Sequence, residues 1–173
     1  MSIFVEKTNK TKFKVPVRRF FVLMSARALK SIVFKNHKPP RILEVSLIFV
    51  SSREMRHLNK KHRREDELTD VLSFPHFQSA PVRTPSVRAK SRLMGKIVPM
   101  ADPDGVVRLG EIIIAPEAVS KEATLFGHTV FEHYMFLFVH GFLHLLGYDH
   151  EKSKKDEHIM QKVQSAALKI LKN

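Results

Sequence analysis

The chain has 173 residues, 43% hydrophobic and 27% charged, enough to bury one proper core and ordinary for a single globular domain. Thirty Lys and Arg stand against seventeen Asp and Glu, and the net charge of +13 favours a polyanionic partner, nucleic acid ahead of an anionic membrane. No cysteine is present, which excludes disulfides and thiolate zinc sites, so any metal must be held by His or carboxylate; this fits a reducing cytoplasm.

Met1 to Lys14 lacks the apolar core of a signal peptide, and Ser2 to Glu6 reads as a short strand. Pro16, followed by Val17, Phe20, Phe21, Met24, Ala28 and Leu29, opens an amphipathic helix that must stop before Lys38-Pro39-Pro40. Ile42 to Val50 is rich in β-branched and apolar residues and predicts a strand. Ser51 or Ser52 caps a following helix whose apolar positions are Met55 and Leu58 and whose remaining surface is basic. Asp70 to Pro75 predicts a short strand closed by proline.

Residues 76–108 have another character, a long loop insertion carrying Arg83, Arg88, Lys90, Arg92 and Lys96 without an acidic residue between Pro81 and Lys96. Its end reads as a hairpin, Ile97-Val98 and Val106-Val107 around a turn at Asp102 to Gly105. The insertion either extends a nucleic-acid track or is a loop without catalytic consequence. Gly110 to Ala115 is a strand, and Pro116 starts a helix stopped near Gly127. Thr129 to Leu146 is a helix apolar on all sides, hence buried, and its apolar run is too short to span a bilayer. Asp156 to Leu171 is a last amphipathic helix.

The buried helix carries the chemistry, in His140-Gly141-Phe142-Leu143-His144-Leu145-Leu146-Gly147-Tyr148-Asp149-His150. A four-residue step puts His140 and His144 one turn apart on one face. Gly147 can take the left-handed conformation that ends a helix, so His150 returns towards them. Three buried imidazoles without partners would cost about 1–3 kcal/mol each, which a metal ligated by nitrogen removes. Three histidines plus one solvent position is the pattern of catalytic zinc rather than structural zinc. The donor set also suits other transition metals such as nickel.

The spacing matches the metzincin peptidases, which makes a metallopeptidase the alternative, but Gly141 stands where those enzymes carry their general base, and Met160 falls on a predicted helix rather than a Met-turn. The eleven-residue motif closely resembles the signature of the YbeY family of metal-dependent endoribonucleases and rRNA maturation factors. Leu58-Asn59 with Arg63, then Thr69 to Pro75, then Leu109 to Ile112 fall in that family's order. The resemblance implies an α+β fold, a small mixed sheet of about four strands flanked by about five helices, in one domain over residues 1–173. It implies one zinc ion on His140, His144 and His150. It implies cleavage of single-stranded RNA, 3′-end maturation of small-subunit ribosomal RNA and ribosome quality control, in the cytoplasm. Its implied partners are the small ribosomal subunit, the GTPase Era and a small-subunit ribosomal protein. A monomer without membrane attachment is expected. A third reading is a ribosome assembly factor that does not cleave and whose metal is structural.

Arg63 matches the family arginine assigned to the active site, and a guanidinium suits a phosphodiester because its planar donors fork onto two oxygens. Lys60, Lys61 and Arg64 beside it are backbone-phosphate contacts or a solvated face. Asp149 accepts a hydrogen bond from a ligand imidazole or caps the turn. His133, seven residues before His140, is read as a core or ligand-supporting residue ahead of a proton-transfer group. Thr69, Asp70 and Ser73 are read mainly as strand and turn structure. No acid for the leaving oxygen is evident.

Overall fold

The computed structural model describes residues 2–15, 42–76, 103–151 and 153–172. In chain order these form β1 (Ser2–Asn9), β2 (Ile42–Phe49), α1 (Ser52–Arg63), β3 (Val71–Pro75), β4 (Val106–Ile114), α2 (Pro116–Leu125), α3 (Val130–Leu145) and α4 (Lys154–Lys172). The helix expected from Pro16, the Ile97-Val98 arm of the expected hairpin and most of the basic insertion lie outside the described residues.

The strands make one mixed sheet in the order β1-β2-β4-β3. β1 and β4 run parallel to β2, and β3 closes one edge antiparallel to β4. Strand β2 alternates buried and half-buried residues, with Leu43, Val45, Leu47 and Phe49 on the face that meets α3 and α4. The opposite face carries Ile113 and Leu72 against Met55 of α1, with Ala115 and Ala118 beside them. The result is an α+β fold of two helical layers around a sheet, with four helices among the described residues. Two segments differ from the sequence reading. β1 continues past Glu6 to Asn9 because it pairs with β2 along its whole length. Val106 to Arg108, read as part of the insertion, open β4, because Val106 and Val107 pair in parallel with Ile42 and Leu43.

Helix α3 is fixed at both ends by local chemistry. Thr129 and Glu132 form a capping box: the Thr129 hydroxyl accepts from Glu132 N at 3.2 Å and Thr129 N donates to Glu132 Oε2 at 3.0 Å. At the other end Gly147 adopts φ +84°, and Tyr148 N and Gly147 N donate to the Leu143 and His144 carbonyls at 3.0 and 2.8 Å. That is a Schellman closure, and it is what turns the chain back towards the helix.

Gly141 faces the sheet from the middle of α3. A Cβ there would lie 2.9 Å from Ser73 Oγ and 3.0 Å from Ile112 Cγ2. The helix therefore approaches β3 and β4 at a distance that only glycine permits without displacement of its neighbours.

Candidate metal centre

The Schellman turn brings His150 over the last turn of α3, and the three imidazoles meet. Ring centroids of His140 and His144 are 4.6 Å apart, and His150 lies 5.1 and 5.2 Å from them. One ligand atom from each falls within 4.8 Å of the others. Among the described residues this is the one cluster of three or more such side chains able to hold a metal ion.

The hydrogen bonds select the coordinating atoms. His140 Nδ1–H donates to Gln164 Oε1 and His144 Nδ1–H to the Tyr148 carbonyl, each at 3.0 Å. Both Nε2 atoms are then lone-pair donors, and they face each other at 3.0 Å. An ion with metal–nitrogen distances of about 2.0–2.1 Å fits between them. Burial, before any other influence, pushes the His144 pKa down to about 4, and the neighbouring His140 and His150 push the same way. Burial also lowers the pKa of His140, opposed by its hydrogen bond to Gln164. Neutral imidazole, the ligating form, is what this pocket favours.

The cluster opens on a cleft of about 570 Å³ between the end of α1, strand β3 and the turn after α3. Arg63, the last residue of α1, stands on the cleft wall, 43% exposed at its side chain. Its Nη2 is paired with Glu151, the residue after His150, and its Nε lies 3.7 Å from Glu65. The structure thus brings Arg63 to the same cleft as His140, His144 and His150, across a separation of more than seventy residues in sequence.

The other candidate residues are placed as follows. Lys60 is bonded to Asp66 at 2.8 Å, and Arg56 holds the other oxygen of that carboxylate at 2.9 Å. These two bonds, Lys60 first, hold the Asp66 carboxyl below its usual range. Lys61 and Arg64 are exposed beyond the cleft rim, and Arg64 takes the left-handed conformation that ends α1. Asp149 Oδ1 accepts from Glu151 N at 3.0 Å, the turn-capping geometry. The Nδ1 atoms of the two helical histidines are held by Gln164 and the Tyr148 carbonyl, partners that the sequence reading did not name. His133 is 1% exposed, with Nε2 at 3.1 Å from Asp70 Oδ2 and Nδ1 at 3.4 Å from His128 Nδ1. Asp70, read as turn structure, is thus one side of a buried polar pair and also lines the cleft.

A mixed four-stranded α+β domain whose buried helix and the turn after it present three imidazoles, able to hold a metal ion, to an open cleft is a hydrolase scaffold. The chain belongs to the family described as Endoribonuclease YbeY, whose model matches residues 6–172. Among relatives named endoribonuclease YbeY, that of Leptospira interrogans is 38% identical over 141 residues, covering 81% of this chain and 95% of that protein. That of Thermodesulfovibrio yellowstonii is 34% identical over 146 residues, 84% of this chain and 76% of the relative. That of Limosilactobacillus reuteri is 40% identical over 125 residues, 72% of each. A solution structure from Thermotoga maritima shares the fold, with a TM-score of 0.53 at 24% identity over 96% of this chain and 88% of the other. Among the described residues no helix is long and apolar enough to cross a membrane.

Proposed function

We propose that this chain is a metal-dependent endoribonuclease that cleaves single-stranded RNA, with ribosomal RNA as its substrate and 3′-end maturation of the small-subunit RNA and ribosome quality control as its setting. The observation that carries the reading is the convergence of His140, His144 and His150 with Arg63 on one cleft. Membership of the endoribonuclease family supports the reaction class.

A divalent ion on the three histidines, zinc by preference and nickel as the alternative, would supply Lewis acidity at the scissile phosphate. The chain's own residues do the rest. Gln164 and the Tyr148 carbonyl keep both Nε2 lone pairs aimed inward. Arg63 binds the phosphate: it already holds the Glu151 carboxylate, an anion with two oxygens in one plane, and a phosphodiester presents the same pair of acceptors. As charge grows on the phosphoryl oxygens, a guanidinium fixed at the cleft wall stabilises it. Lys61 and Arg64, and Lys60 where Asp66 releases it, extend positive charge along the backbone of the RNA. The protein works as a cytoplasmic monomer, and the small ribosomal subunit, the GTPase Era and a small-subunit ribosomal protein are the partners proposed with this substrate.

The peptidase alternative has the same histidines but meets the sheet at Gly141, where even a Cβ is within 3.0 Å of Ser73 and Ile112, so a glutamate has no room there. The discriminating experiment offers the zinc-loaded protein single-stranded rRNA fragments, the same fragments as duplex, and denatured casein. Cleavage confined to single-stranded RNA is expected. Casein hydrolysis would overturn the reading, and rescue of rRNA maturation by a protein that cuts none of the three would favour the non-cleaving assembly factor.

A further inference from the structure

A second cavity of about 300 Å³ adjoins the metal cleft and shares Thr69, Asp70, Val71 and His140 with it. Its aromatic walls are Phe126, His133 and Phe136. The planes of these rings are nearly aligned. Phe126 lies 18° from His133, His133 14° from Phe136 and Phe136 12° from His140, with centroids 5.8–5.9 Å apart. His133, Phe136 and His140 line up because they sit three and four residues apart on α3. Phe126 joins them from the end of α2, where its N–H is held by the Glu122 carbonyl.

The ring at the outer end is the anomaly. His133 is buried and Phe136 half-buried, but Phe126 is 63% exposed. A large aromatic held parallel to a neighbour, at the mouth of a cavity that leads to a candidate catalytic centre, has the form of a stacking platform. The polar groups at this cavity are also suggestive. The Glu122 side chain lines it and has no partner among the described residues. A carboxylate only accepts hydrogen bonds, so it selects an occupant that brings donors.

We infer that this cavity is a nucleobase subsite, taking the base of a nucleotide that adjoins the phosphate held between Arg63 and the three histidines. The inference rests on RNA being the substrate and adds where a base is read. Stacking on the exposed Phe126 ring accepts any base, since every base has a π face. Glu122 adds selectivity: guanine alone sets two donors side by side, N1–H and its exocyclic amine, to match the two oxygens of a carboxylate, whereas adenine and cytosine offer only an amino group and uracil only one imide N–H. A duplex cannot present an unstacked base, so the same cavity accounts for a preference for single strands.

The test maps every product end generated by the zinc-loaded protein from a pool of random single-stranded RNA. The expected wild-type profile favours guanine at one position beside the cut. Phe126→Ala is expected to raise KM about tenfold and to flatten that profile, with Phe126→Tyr restoring both. Glu122→Gln is expected to remove the preference for guanine while leaving stacking intact. Binding to the metal-stripped protein is read separately, through quenching of a fluorescent adenine analogue within an oligonucleotide, which Phe126→Ala should abolish. A wild type that cuts RNA with no base preference at either flanking position overturns the subsite alone. So does a Phe126→Ala protein whose KM, profile and quenching match the wild type. A wild type that neither binds nor cuts RNA overturns the functional reading together with the subsite.

Discussion

His140 Nε2 and His144 Nε2 face each other at 3.0 Å while the Nδ1 of each ring is engaged elsewhere. Two lone pairs at that distance repel unless a cation sits between them, and burial of His144 disfavours a proton in that role. The pair is placed so that a metal ion could sit between the two rings, and the outer bonds orient both of them. Gln164→Leu is expected to lower zinc affinity about 10–100-fold, the usual effect of removing a partner that orients a ligand. Competition with a chromophoric chelator measures it; unchanged affinity would show that Gln164 does not orient His140.

The close contact at Gly141 sets a second expectation. Alanine gains up to about 1 kcal/mol in helix propensity but must displace Ser73 Oγ and Ile112, an overpacking cost of about 1–3 kcal/mol. Net destabilisation of about 1 kcal/mol is predicted for Gly141→Ala by urea unfolding. Gly141→Glu, which would recreate the peptidase motif, is expected to fail to fold rather than to cleave peptides.

The buried link between Asp70 and His133 ties the start of β3 to α3. His133→Leu leaves the Asp70 carboxylate without its imidazole, and about 2 kcal/mol of stability should be lost. Asp70→Asn in the same background should cost much less than it does in the wild type. A double-mutant cycle checks this, and additive losses would mean that the two side chains are not coupled.

Depressed histidine pKa values make the metal-free protein sensitive to acid. An unfolded imidazole titrates near about 6.5, whereas folded His144 holds out to about 4. Between these values the unfolded chain binds a proton that the folded chain refuses, so the contribution of this group is constant above the unfolded value and declines as pH falls towards the folded one. His140 shifts in the same direction. Chelator-treated protein should melt lower at about pH 5 than at about pH 7.5. His144→Gln should show a smaller difference; an equal one would place the acid sensitivity elsewhere.

Most of the centre was legible because it is local. The buried helix shows in its all-round apolar sequence, its bounds in a start at Thr129 and a turn at Gly147, and its ligands in the spacing of three histidines over eleven residues. What escaped is what tertiary structure supplies. Gln164 reaches His140 from a different helix, and Asp70 meets His133 across sixty-three positions, so no periodicity announces either. Val106 to Arg108 read as the end of the insertion, with Val106-Val107 as a hairpin arm, because their parallel partner, Ile42 to Glu44, lies far upstream. Arg63 was singled out among its basic neighbours by family resemblance alone; in the fold, Arg63 lines the metal cleft while Lys60 is tied to Asp66.

In the proposed function the three histidines and Arg63 act together on RNA. Its most direct test is the cleavage rate of a single-stranded rRNA fragment by the zinc-loaded wild type, His144→Ala and Arg63→Glu, each prepared identically and also measured after metal stripping and zinc restoration. Cleavage by the wild type is expected to be lost on stripping and regained with zinc, His144→Ala to show none, and Arg63→Glu to lose at least about 10²-fold with its metal still bound. Equal cleavage by all three proteins, unaffected by stripping, would contradict it and assign the activity to a contaminant.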